Sequence, residues 1–183
     1  MIAMKKITSL EEANEVSAIR LTEVRRRPKA GDLFRLSPSA GIYLWGRLVK
    51  RGHFFGLKAD FNLVYIYDVI SEKRPDTELL KPSNLIIGPC VVNNLGWSRG
   101  YWQVIGCEPL TKEDRFARHL FVRFRGFGGP ENHDIVDESG NVVKGLLPNW
   151  RLLGQSGFGS FNSVDWNVRN VLESRGILPK IDR

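Results

Sequence analysis

The run Leu63-Val64-Tyr65-Ile66-Tyr67-Asp68-Val69-Ile70 constrains the fold of this chain more than any other segment. β-branched and aromatic side chains fill almost every position, as a strand covered on both faces requires. Such a strand needs material above and below it, so the run predicts a layered, strand-rich interior. We expect it at the centre of a strongly twisted antiparallel sheet.

Shorter apolar runs bounded by turn residues surround it. Leu33 to Leu36 reads as a short strand, Ser37-Pro38-Ser39-Ala40-Gly41 as a turn, and Ile42 to Val49 as an alternating, half-buried strand. In the last, Ile42, Leu44, Gly46 and Leu48 share one face, and Tyr43, Trp45, Arg47 and Val49 the other. Lys50 to Asn62 carries Gly52 and Gly56 and reads as a long hairpin connection. Leu85 to Val92 and Tyr101 to Ile105 follow as strands, joined through Asn93 to Gly96 and the turn Trp97-Ser98-Arg99-Gly100. Leu120 to Phe124 alternates again, and Ile135-Val136 and Val142-Val143 flank a hairpin turn in which Gly140 can adopt a positive φ.

Helices are expected at both ends. Ser9-Leu10-Glu11-Glu12 has the form of a capping box opening an amphipathic helix that stops before Pro28. Near the C-terminus, Asn162 or Ser163 caps a helix with the stripe Val164, Val168, Val171 and Leu172, ended by Gly176 and Pro179. The fold class predicted is α+β: a strongly bent antiparallel sheet or partly open β-barrel, flanked by an N-terminal and a C-terminal helix. Residues 1–28 read as a helical extension and residues 29–183 as a single β-rich globular domain.

A domain of this size buries roughly 68–70% of its unfolded surface and needs no disulfide or metal to hold it. Cys90 and Cys107 each sit among apolar residues and read as small buried hydrophobes. No apolar stretch reaches bilayer length, and the N-terminus lacks a signal-peptide core, so we expect a cytoplasmic protein with no membrane partner.

Residues that could carry chemistry do not assemble into a site. His53, His119 and His133 have no second ligand at metal spacing and read as surface or loop residues. Gly154-Gln155-Ser156-Gly157-Phe158 fails the nucleophile elbow at its fifth position, and Gly126 to Pro130 reads as a plain loop. The carboxylate pairs Glu113-Asp114 and Asp137-Glu138 fall in turn-like contexts and read as solvated. The sequence therefore predicts no catalytic residue, no metal site and no cofactor.

What remains is binding. The net charge is +7, from 27 basic against 20 acidic side chains, with local runs at Arg25-Arg26-Arg27-Lys29 and at Arg115, Arg118, Arg123 and Arg125. Such a field favours an anionic partner, and Trp45, Trp97, Tyr101, Trp102, Trp150 and Trp166 could stack on nucleic acid. Nucleic acid is thus one possible partner, although single-strand signatures are missing.

Gly31-Asp32-Leu33-Phe34-Arg35-Leu36, Gly41-Ile42-Tyr43-Leu44-Trp45-Gly46-Arg47-Leu48, Tyr67-Asp68-Val69, and Ser98-Arg99-Gly100-Tyr101-Trp102-Gln103-Val104-Ile105-Gly106 with Pro109-Leu110 point elsewhere. Over residues 29–125 this pattern resembles the immunity protein 26 family of bacterial polymorphic toxin systems. The resemblance implies a non-enzymatic inhibitor whose partner is a cognate toxin domain. A toxin facing so basic a chain should present an acidic face or a mainly apolar and aromatic one. We expect the partner-binding residues Trp97, Arg99 and Tyr101 on the turn before the Tyr101 to Ile105 strand, because Trp, Tyr and Arg dominate binding hot spots.

Overall fold

The computed structural model describes residues 18–23, 26–125, 133–144 and 153–180. A five-stranded antiparallel sheet forms its middle layer, from β1 (Asp32–Ser39), β2 (Ile42–Gly52), β3 (Phe61–Ile70), β4 (Leu85–Val92) and β5 (Gln103–Cys107). Their order across the sheet is β4-β3-β2-β1-β5. A smaller sheet contains β6 (Leu120–Phe124), β7 (His133–Asp137) and the two-residue β8 (Gly154–Gln155), in the order β7-β6-β8. The large sheet does not close into a barrel. The architecture is two sheets with few helices.

The strand read as central, β3, lies one place off centre, between β2 and β4. Its burial is as expected: Leu63, Val64, Tyr65, Ile66 and Tyr67 are all fully buried. β2 takes the middle place, and it is buried on both faces where a half-buried strand was expected. The division of its side chains is the predicted one. Leu44 and Leu48 join one core cluster, Trp45 and Val49 the other. The solvent face that alternation implied does not exist, because a second layer of protein covers it.

One cluster lies between the large sheet and the C-terminal helix α2 (Phe161–Ser174), where Val164, Val168 and Leu172 meet Phe34, Leu36, Leu48, Val64 and Ile66. The other brings Phe121 and Val136 of the small sheet onto Leu33, Trp45, Leu63, Tyr65 and Val91. The order of layers is helix, large sheet, small sheet. Each fully buried Leu, Val or Phe contributes about 1.5–3 kcal/mol to holding the layers together.

The strand boundaries also differ from the alternation pattern. β1 continues to Ser39, so the turn shrinks to Ala40 and Gly41, with Gly41 at φ +77°. Pro38 is accommodated inside the strand because the β1–β2 register shifts between Leu36 and Ser39, a position that asks for no ladder N–H. β2 and β3 run on to Gly52 and from Phe61, pairing Arg51 with Asn62, which shortens the expected Lys50 to Asn62 connection. β5 starts at Gln103, and a single helical turn, α1 (Leu95–Ser98), precedes it.

The N-terminal helix does not reach Pro28. Residues 18–22 and 26–29 are irregular, and the main chain of the first of these is held by β1 and by the turn after α1 instead. Ile19 N–H donates to Ser37 O at 2.8 Å, and Leu21 and Thr22 N–H both donate to Gly100 O at 2.8 and 3.1 Å. The helix start at Ser9 lies outside the described residues, as do the Gly126 to Pro130 loop and Trp150. α2 is capped two residues before Asn162 and three before Ser163, the expected caps, by Ser160, whose hydroxyl accepts from Asn162 N–H at 3.3 Å. It ends as expected at Gly176, φ +71°, where Gly176 N–H donates to Glu173 O and Ile177 N–H to Leu172 O. Among the described residues no helix is long and apolar enough to cross a membrane.

Candidate functional site

The turn carrying Trp97, Arg99 and Tyr101 is tightly built. Arg99 N–H donates to Leu95 O at 2.9 Å, Gly100 N–H to Trp97 O at 3.1 Å, and Trp102 N–H to Gly96 O at 3.0 Å. Gly100 sits at φ +82°, and a Cβ there would stand 2.0 Å from Thr22 O, so both the angle and the crossing chain demand glycine. The three side chains part company. Trp97 points inward, 1% exposed, edge-on to Phe34 and Trp102 at centroid distances of 5.3 and 4.6 Å. Arg99 is exposed, and Tyr101 is half-buried, stacked on Phe161 at 4.1 Å. Arg99 and Tyr101 thus stand at the surface and Trp97 forms the support beneath them.

A groove of about 1170 Å³ opens along α2, between β4, α2 and residues 153–159. Its helical wall carries Ser163, Asn167, Asn170 and Ser174, and its strand wall Leu85, Ile87 and Cys90. Among the described residues two charged ones line it, Asp68 and Arg175, and they are bonded to each other, Arg175 Nη1 reaching both carboxylate oxygens at 2.7 and 2.8 Å. Gly88 and Gly154 allow residues 153–154 to close against β4; a Cβ at Gly88 would lie 2.0 Å from Leu153 O.

A buried polar chain that spacing does not reveal joins the two sheets. Tyr65 Oη accepts from Phe116 N–H at 3.0 Å and meets His119 Nε2 at 2.5 Å, while His119 Nδ1 meets Glu138 Oε1 at 2.6 Å. Lys50 bonds the other Glu138 oxygen. His119 lies in a loop, as expected, directly before β6, but not at the surface; it is 5% exposed. Nor is Glu138 merely solvated. The hydrogen bond from His119, opposed by burial and reinforced by Lys50, pulls its carboxyl down to about 2. Burial pushes the Tyr65 hydroxyl up, and with its oxygen enclosed it has no open side to offer a substrate.

Arg47 is a second buried surprise, 1% exposed between Glu108 Oε2 at 2.8 Å and Asp114 Oδ1 at 3.3 Å. Asp114 is buried, accepts from Thr111 N–H and Oγ, and those bonds, with Arg47 and Lys81 beside it, hold its carboxyl below the usual range against its own burial. Lone acidic pairs in the sequence gave no hint of either partner.

The basic group near the small sheet is largely neutralised. Arg123 and Arg125 converge on Asp134, and Arg118 approaches Asp137 at 3.5 Å. Of the tryptophans, Trp45, Trp97 and Trp102 are core, and Trp166 is 44% exposed. Both cysteines are free; Cys90 is the buried hydrophobe expected, its thiol pushed up to about 12 by burial. Cys107 is exposed, because β5 is the outermost strand and its face lacks a covering layer. Among the described residues no group of three or more His, Cys, Asp or Glu could hold a metal ion.

Residues 29–125, just over half the chain, match the family described as Immunity protein 26. The chain belongs to that family. The matched segment of this immunity protein 26 member contains the entire five-stranded sheet and the Trp97 to Tyr101 turn. The small sheet's β7 and β8, α2 and most of the groove lining lie beyond it. No curated protein and no solved structure matches the chain.

Proposed function

We propose that this chain is an immunity protein that binds a cognate bacterial toxin in the cytoplasm and blocks it by protein–protein contact, without catalysis. Membership of the immunity protein 26 family is the observation that carries the reading. The contact surface is built around Arg99 and Tyr101, with Trp97 fixing the turn from below. Arginine and tyrosine bury large areas while still hydrogen-bonding from an apolar contact. A turn held by three internal hydrogen bonds loses little conformational freedom on binding, which favours affinity. A specific interface would bury about 1,200–2,000 Å² in total.

The test uses the toxin domain encoded beside this chain. Arg99→Ala and Tyr101→Ala should weaken its binding about tenfold or more with an unchanged melting temperature, whereas Trp97→Ala should lower the melting temperature first. Lost stability with normal affinity for Arg99→Ala and Tyr101→Ala would reduce both residues to parts of the fold. A single-stranded oligonucleotide titrated in parallel should show no comparable affinity.

A further inference from the structure

The groove between β4 and α2 has a composition at odds with the chain's net charge of +7. Among the described residues its only lining charges, Asp68 and Arg175, cancel each other through a two-oxygen ion pair. Such a lining holds no free cation for a phosphate backbone, whose binding depends on Lys and Arg neutralising it. It equally offers nothing to a charged side chain. Instead Ser163, Asn167 and Asn170 stand on the helix wall, with Gln155 across from them and Leu85, Ile87 and Cys90 on the strand wall. A side-chain amide both donates and accepts, which matches the alternating N–H and C=O of an extended peptide.

We propose that this groove takes an extended, uncharged segment of the toxin, its main chain held by the Asn167 and Asn170 amides and its apolar side chains against Ile87 and Cys90. This rests on the immunity reading and deepens it. The first turn of α2 stands between the groove and the turn surface: Phe161 stacks on Tyr101, and Ser163, two residues and about 200° further round the helix, lines the groove.

The experiment pans a phage-displayed library of random linear peptides on the folded wild-type chain and on Asn170→Arg, which places an unpaired charge in the groove. Asn167→Lys serves as a second variant, and melting temperatures verify folding. The wild type should enrich uncharged sequences whose affinity falls about tenfold or more in both variants, and these variants should lose affinity for the adjacent toxin domain in step. Enrichment of charged peptides, or equal binding to wild type and variants, overturns the proposal. So does undiminished toxin neutralisation by Asn170→Arg, which leaves the immunity reading standing. Groove-dependent peptide binding by a chain that never protects cells from the toxin would sink the immunity reading, and with it the toxin as occupant.

Discussion

Tyr65 Oη and His119 Nε2 lie 2.5 Å apart, and this contact fastens the small sheet to the large one. Tyr65 belongs to β3, His119 immediately precedes β6, and Glu138 immediately follows β7. Tyr65 Oη accepts from Phe116 N–H, and the His119 ring spans from that hydroxyl to the Glu138 carboxylate. The imidazole thus bridges a hydroxyl and a carboxylate, as a clamp closed to solvent.

Replacing His119 with Phe keeps the ring volume and removes both bonds. Tyr65 Oη and Glu138 lose their shared partner, and a stranded buried polar group costs about 1–3 kcal/mol. Urea unfolding should show a lower midpoint by that amount. An unchanged midpoint would mean the clamp contributes nothing.

Asp165 predicts an unusual pH dependence. Both carboxylate oxygens are buried without a hydrogen-bond partner, and burial, only partly offset by Arg169, pushes the group up to about 8. An acid whose folded pKa exceeds its unfolded value binds more protons when folded, so stability falls as pH rises from about 4 to about 8. Glu138 works in the opposite sense: its carboxyl, held down at about 2, adds stability above its ordinary value of 4.5 that disappears on acidification. Between them these two groups place the stability maximum at about pH 4. Asp165→Asn, which mimics the neutral acid, should stabilise by about 1–3 kcal/mol at about pH 8 and by little at about pH 4. Equal effects at both pH values would contradict this account.

Gly88→Ala should separate residues 153–154 from β4, since the new methyl would stand 2.0 Å from Leu153 O and 2.4 Å from its carbonyl carbon. Overpacking against backbone costs about 1–3 kcal/mol. Amide hydrogen exchange should accelerate around Gly154 and Gln155 while the β2–β3 ladder stays protected.

Ile66→Asp places a charge where the side chain has no exposure and apolar neighbours. Burying an unpaired carboxylate costs several kcal/mol, on the order of a domain's net stability. The variant should be unfolded or melt far below the wild type by circular dichroism. A wild-type melting curve would show that β3 is not an interior strand.

Several features were readable from local pattern alone. The dense run Leu63 to Ile70 had to be a strand with both faces covered, the Val164-Val168-Leu172 stripe had to be a helix face, and Gly140 and Gly176 had to sit at positive φ, because periodicity and backbone angle are properties of neighbouring residues. The immunity protein 26 pattern, carried by short motifs within the first two-thirds of the chain, was readable in the same way. Tertiary structure alone decided that β2 and not β3 is central, that Trp97 faces inward while Cys107 faces out, and that His119, Glu138 and Arg47 are structural. It also decided that the described lining of the groove, in a chain of net charge +7, is electrically neutral. Each of these depends on which layer packs over a residue and on partners many positions away, such as Tyr65 and His119 or Asp68 and Arg175. Local spacing cannot encode that pairing; burial by the assembled layers does.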